Sequence, residues 1–179
     1  MPRPAPPTPM RARLIAEALA FVRAVGGVTR SDGVPKALVP GVSRIALVGS
    51  LTTEKPDPKD ADLLVTVADD ADLGPLAGLG RRLKGRAQSL NRGADIFLAD
   101  PDGAYLGRIC HWTRCGPGYR MSCDAANCGR RPYLHDDLGT IRLPRALIKA
   151  PPIELWPEVV ARVPIPPVVA SELIAPLKG

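Results

Sequence analysis

A chain of 179 residues is long enough for one ordinary domain with a sizeable core and an appendage. It is 45% hydrophobic but only 4% aromatic, so the core has to be aliphatic, and a net charge of +6 favours anionic partners such as nucleotides or RNA without requiring one. No stretch approaches the roughly 20 apolar residues of a membrane span, and the proline-rich start lacks the apolar run of a secretion signal, which points to a cytoplasmic protein with no membrane association.

In chain order, Met1 to Pro9 reads as an extended, proline-rich arm. From Met10 to Val25, Leu14, Ala18, Leu19, Val22 and Val25 recur at helical spacing, with Arg11, Arg13, Glu17 and Arg23 between them, and Gly26-Gly27 stops the helix. A turn-rich loop follows. Ile45 to Val48 is a short apolar run of the kind found in buried strands, ending at Gly49-Ser50. The linker Leu51 to Lys59 contains Pro56 and Pro58, which exclude a regular helix from its second half. A second strand spans Ala61 to Val67, a helix Leu73 to Arg92, and a third strand Gly93 to Leu98. The helix carries Arg81, Arg82, Lys84, Arg86 and Arg92 and no acidic residue, which makes it either a solvated face or a basic rim for phosphates or an RNA backbone.

The chemistry concentrates around the first two strands. Strand side chains alternate, so Asp60 and Asp62 project from one side with Ala61 on the other. Two neighbouring carboxylates repel unless a cation lies between them, and hard oxygen ligands suit Mg²⁺. A Gly-Ser turn beside them suggests a nucleotide site: turn amides and the Ser50 hydroxyl can grip phosphates, and Gly49 lets the backbone come close. The alternative is a carboxylate cluster that merely caps nearby turns.

Strand-Gly-Ser, nine residues, then Asp60-Ala61-Asp62-Leu63-Leu64, with a further Asp on the next strand, resembles the polymerase-beta-like nucleotidyltransferases, closest to their minimal stand-alone type. The likeness covers about residues 10 to 100. It implies an α+β fold, a small mixed sheet flanked by helices. It also implies two Mg²⁺ ions held with a nucleoside triphosphate by Asp60 and Asp62, and a third catalytic carboxylate, by position Asp95. Two cations would assist in-line attack on an α-phosphate, one acidifying the attacking hydroxyl and one neutralising the leaving pyrophosphate. Relatives commonly follow Gly-Ser with a small residue and an arginine; here Leu51-Thr52-Thr53-Glu54-Lys55 follows, with Lys55 as the stand-in phosphate cation.

Beyond residue 104 the composition changes. Cys110, Cys115, Cys123 and Cys128, spaced C-x4-C-x7-C-x4-C, suit a structural tetrahedral Zn²⁺, with His111 able to replace Cys110; two disulfides or unligated thiols are the alternatives. Arg108, Arg114, Arg120, Arg130 and Arg131 surround them, His135 reads as a surface histidine, and Trp112 and Trp156 read as packing residues. Residues 150 to 179 hold seven prolines and read as a tail that wraps the surface or binds a partner. The expected organisation is therefore a nucleotidyltransferase core at 10–104, a zinc-knuckle-like appendage at 105–149 and a Pro-rich tail at 150–179.

The resulting expectation is an Mg²⁺-dependent enzyme that moves a nucleoside monophosphate from a nucleoside triphosphate to a hydroxyl on a protein, an RNA such as tRNA, or a small molecule. Small stand-alone relatives often belong to toxin–antitoxin pairs, so an antitoxin partner follows by association. The competing expectation is a catalytically idle scaffold whose zinc knuckle and basic helix bind nucleic acid.

Overall fold

The computed structural model describes residues 9–27, 33, 35–113, 115, 131–135 and 141–179. Cys123 and Cys128 lie outside the described residues, as do Arg114, Arg120 and Arg130, so the four-cysteine site cannot be drawn from them. The elements in order are α1 (Pro9–Val25), β1 (Val42–Val48), a 3-10 turn (Gly49–Thr52), β2 (Asp60–Val67), α2 (Gly74–Ser89), β3 (Gly93–Ala99) and β4 (Tyr105–Ile109). Then come β5 (Leu134–His135), α3 (Arg145–Lys149), β6 (Ile153–Trp156), β7 (Val160–Ala161), α4 (Pro167–Val169), a π-helical turn (Ala170–Ile174) and α5 (Ala175–Lys178). None of the described helices is long and apolar enough to cross a membrane.

The strands form one mixed seven-stranded sheet, ordered β5-β4-β3-β2-β1-β6-β7. β1 and β2 pair antiparallel, with Val48 opposite Asp62, while β2 and β3 pair parallel through the α2 crossover. A parallel pair needs such a crossover, because its second strand must return to the same end of the sheet. All the remaining neighbours in the sheet are antiparallel.

Two apolar clusters explain why β1, β2 and β3 read as nearly unbroken hydrophobic runs. On one face, Ala61, Leu63, Val65, Ala94, Ile96 and Leu98 meet Leu14, Ile15, Val22, Leu76 and Leu83 from the helices. On the other, Ala46, Val48, Leu64, Phe97 and Ala99 meet Ile148 of α3. Strands covered on both sides lose the polar alternation of a half-exposed sheet.

The C-terminal proline-rich segment is not a surface tail. β6 pairs with β1 inside the sheet, with Leu47 opposite Ile153, and Ile153 and Leu155 belong to the larger core. Pro151, Pro152 and Pro157 bracket the four strand residues rather than interrupt them, which is where prolines leave a ladder intact. Val169, Leu173 and Ile174 pack into the same core beside α1. Pro176 cannot donate to the carbonyl four residues back, and the turn before it is wound as π-helix. Replacing fully buried Ile153 with Ala should lower unfolding stability by about 2–4 kcal/mol in denaturant titration; a loss below about 1 kcal/mol would return this segment to the periphery.

Candidate functional site

Asp60 opens β2 and Asp62 follows on the same face, which by strand alternation is the face of Leu64 and not that of the helices α1 and α2. The parallel register places Asp62 directly beside Asp95 and Asp60 beside Gly93. The three aspartates predicted from the sequence therefore share one corner of the sheet. Two glycines make room for them. A Cβ on Gly93 would lie 2.2 Å from Asp60 Oδ1, and one on Gly49 would lie 2.5 Å from Asp62 Oδ2. Gly49 also adopts φ +75°, a region that disfavours any side chain, so the 3-10 turn starts tight against the Asp62 carboxylate.

A half-buried carboxylate set among like charges is the main electrostatic feature. Burial first, then the neighbouring Asp60 and Asp95 charges, push the Asp62 pKa up to about 7, while Arg108 pulls it back. Asp95 differs from its neighbours, because two cations already meet it. Arg108 Nη1 lies 3.2 Å and Lys84 Nζ 3.7 Å from the same oxygen, Oδ1. Among the described residues, no three His, Cys, Asp or Glu side chains converge to hold a metal. Asp60 and Asp62 alone still fit a magnesium ion. That ion takes one or two carboxylates and completes its shell with water and substrate phosphates.

The linker after the Gly-Ser turn is held in place by a residue the sequence reading left on the polar face of α1. Arg11 is 6% exposed, and its guanidinium donates to the carbonyls of Leu51, Thr53 and Lys55. The spacing 11, 15, 18, 22, 25 puts it on the apolar stripe, a signal its charge concealed. Arg92 pairs with Asp57 at 2.7 Å, and the Gly93 amide donates to the Lys59 carbonyl, which fixes the other end. Lys55 and Ser50 sit on this braced segment, Lys55 exposed and Ser50 half-buried. Arg11→Met should loosen it and remove about 2–3 kcal/mol of stability, through carbonyls that lose a charged donor. A glutamate-specific protease should then cut after Glu54 faster than in the wild type. Equal cutting rates would show that the linker holds itself.

On the other side of the site, α2 is tied to the segment after β4. Arg81 donates through Nε to the His111 carbonyl at 2.8 Å and through Nη2 to the Trp112 carbonyl at 2.7 Å. Both ring nitrogens of His111 are buried, with no hydrogen-bond partner among the described residues. Burial and the charges of Lys84, Arg108 and Arg81, opposed by Asp95, lower the His111 pKa to about 4, so the ring is neutral at pH 7. The Cys110 amide donates to the Tyr133 carbonyl at 2.7 Å, and the Tyr133 amide donates to Cys115 Sγ at 3.4 Å. Tyr133 thus bonds to the backbone of Cys110 and to the sulfur of Cys115, while Cys123 and Cys128 fall outside the described residues. Trp112 is 57% exposed, so it is a surface residue and not a packing one. Trp156 does pack against the larger core.

Lys84 and Arg108 are the site residues whose partner sequence reading did not find. Their basicity was visible, but their meeting at Asp95 comes from two elements crossing in space. No protein-family model, curated protein or solved structure matches this chain.

Proposed function

We propose that the chain is a nucleotidyltransferase, which moves a nucleoside monophosphate from a nucleoside triphosphate to a hydroxyl acceptor with release of pyrophosphate. The observation that carries the reading is the crowding at Asp62. A strand-borne carboxylate, tight against the Gly49 turn, is driven towards neutrality first by burial and then by the like charges of Asp60 and Asp95. A divalent cation relieves that cost, and a nucleotide's phosphates supply the ligands the two aspartates lack.

In this reading Asp60 and Asp62 hold the ion, which supplies the positive charge that stabilises phosphoryl transfer. The Gly49–Thr52 turn presents its amides and the Ser50 hydroxyl to the phosphate tail. Arg11 keeps that turn and the following linker in register with the aspartates. The topology of hairpin, crossover helix and parallel third strand is what a nucleotidyltransferase fold would require. A structural zinc on Cys110, Cys115, Cys123 and Cys128 belongs to the same proposal. It would fasten the segment after β4, and metal analysis of the purified chain tests it.

The enzyme reading is tested by incubating the chain with each labelled nucleoside triphosphate and Mg²⁺, against candidate acceptors that include the chain itself, bulk tRNA and hydroxylated small molecules. Label transfer that stops on adding EDTA supports it. Nucleic-acid binding that ignores Mg²⁺ and nucleotide and weakens steeply with salt would favour an idle scaffold instead.

A further inference from the structure

We propose that this site works with one divalent cation, on Asp60 and Asp62, and that Asp95 serves as a bracket for Lys84 and Arg108 rather than as a metal ligand. The inference rests on the nucleotidyltransferase reading and departs from the two-ion arrangement that reading usually carries. Its basis is the pair of cations at one oxygen. Lys84 comes from α2 and Arg108 from β4, two elements distant in sequence, and both reach Asp95 Oδ1, at 3.7 and 3.2 Å.

The two cations already balance the Asp95 charge that would otherwise draw in a metal. A second dication at Asp95 would also stand within a few ångströms of both positive groups, in a half-buried setting where repulsion is poorly screened. The described residues offer no third His, Cys, Asp or Glu that converges with the aspartate pair to replace it. His111 lies close enough to feel Asp95, but its ring sits among Lys84, Arg108 and Arg81, which leaves it in a cationic neighbourhood unsuited to a metal.

The two side chains can supply what a second ion would. Both remain partly open to solvent, at 32% for Lys84 and 26% for Arg108, so each can reach a phosphate oxygen while Asp95 limits its freedom. Arg108 brings a planar fork suited to phosphate and Lys84 a compact point charge. Arg81, which anchors the His111 and Trp112 carbonyls, keeps α2 and the end of β4 in the alignment that lets the two cations meet.

The test is a count of bound Mn²⁺ by electron paramagnetic resonance, on the full chain with α,β-methylene analogues of the four nucleoside triphosphates. One Mn²⁺ per chain in the ternary complex is expected. Asp95→Asn should keep that ion with affinity within about twofold, while Lys84→Met and Arg108→Gln should each weaken analogue binding about tenfold. Two Mn²⁺ per wild-type chain, the second lost in Asp95→Asn, overturns the inference and leaves the nucleotidyltransferase reading standing. Failure of the wild type to bind Mn²⁺ with any analogue sinks that reading, and the inference with it. The wild-type count needs no variant to fold.

Discussion

Changing Asp60 and Asp62 together to Asn is expected to reduce Mg²⁺-dependent nucleotide transfer by about a thousandfold or more, the equivalent of about 4 kcal/mol of transition-state stabilisation. The amides preserve the shape of the site, and Gly49 and Gly93 still leave room for them, so the loss would report charge and not packing. A single Asp60→Asn change should be milder than Asp62→Asn, because Asp60 is exposed while Asp62 lies deeper, between β1 and β3. Label incorporation measured at several Mg²⁺ concentrations separates a weakened ion from a damaged fold. Full activity in the double variant would remove the two aspartates from the chemistry altogether.

The second large effect concerns stability and carries a sign that can be worked out in advance. The Asp62 carboxyl has a folded pKa of about 7 against an ordinary value of 3.8, so the folded state holds its proton more tightly than the unfolded chain does. Folding therefore bears no penalty from Asp62 below pH 3.8. The penalty grows between pH 3.8 and about 7, and is fully present above that. That difference corresponds to about 4 kcal/mol, and residual solvent contact brings the expected cost nearer to about 3 kcal/mol. Asp62→Asn should then be more stable than the wild type by about that amount at pH 8 without divalent ions, and equal to it near pH 4. Saturating Mg²⁺ should narrow the gap at pH 8 by stabilising only the wild type. Denaturant midpoints at the two pH values measure this. A stability difference that does not change with pH would mean that Asp62 is not held under charge stress.

These two results bear on the residues that were most readable from the sequence. Asp60 and Asp62 could be placed together in advance by strand alternation, whereas Asp95 was implied by the family resemblance and is set beside Asp62 by the parallel β2–β3 register. Apolar periodicity placed α1, β2 and β3 to within a residue at each end, whereas α2 ends at Ser89 and not at the expected Arg92. β1 begins earlier than its apolar run suggests, because Val42 and Arg44 pair with β2 on either side of an irregularity at Ser43, while the Arg44 side chain turns to Glu154 and the carbonyls of α3.

What escaped sequence reading is non-local. The run Ile153-Glu154-Leu155-Trp156 is too short to stand out among prolines, and its pairing with β1 spans about a hundred residues of chain. Only that pairing turns a proline-rich ending into part of the core. Arg11 was hidden by its charge, since a buried guanidinium is tolerable only where carbonyls converge on it, and those carbonyls come from a linker some forty residues away. Lys84 and Arg108 show the same limit. Nothing local in α2 or β4 announces that both end at one oxygen of Asp95. Local pattern found the carboxylates, and tertiary contact decided which of them already has a counter-charge.

The central claim is that Asp60 and Asp62 bind a divalent cation together with a nucleotide. Calorimetric titration of the wild-type chain with α,β-methylene nucleoside triphosphates, with and without Mg²⁺, tests it most directly. Binding of at least one analogue that requires Mg²⁺, and that disappears in the Asp60→Asn, Asp62→Asn double variant, is the predicted result. Nucleotide binding of equal strength in EDTA and in the double variant, or no binding of any analogue with Mg²⁺ present, would contradict it.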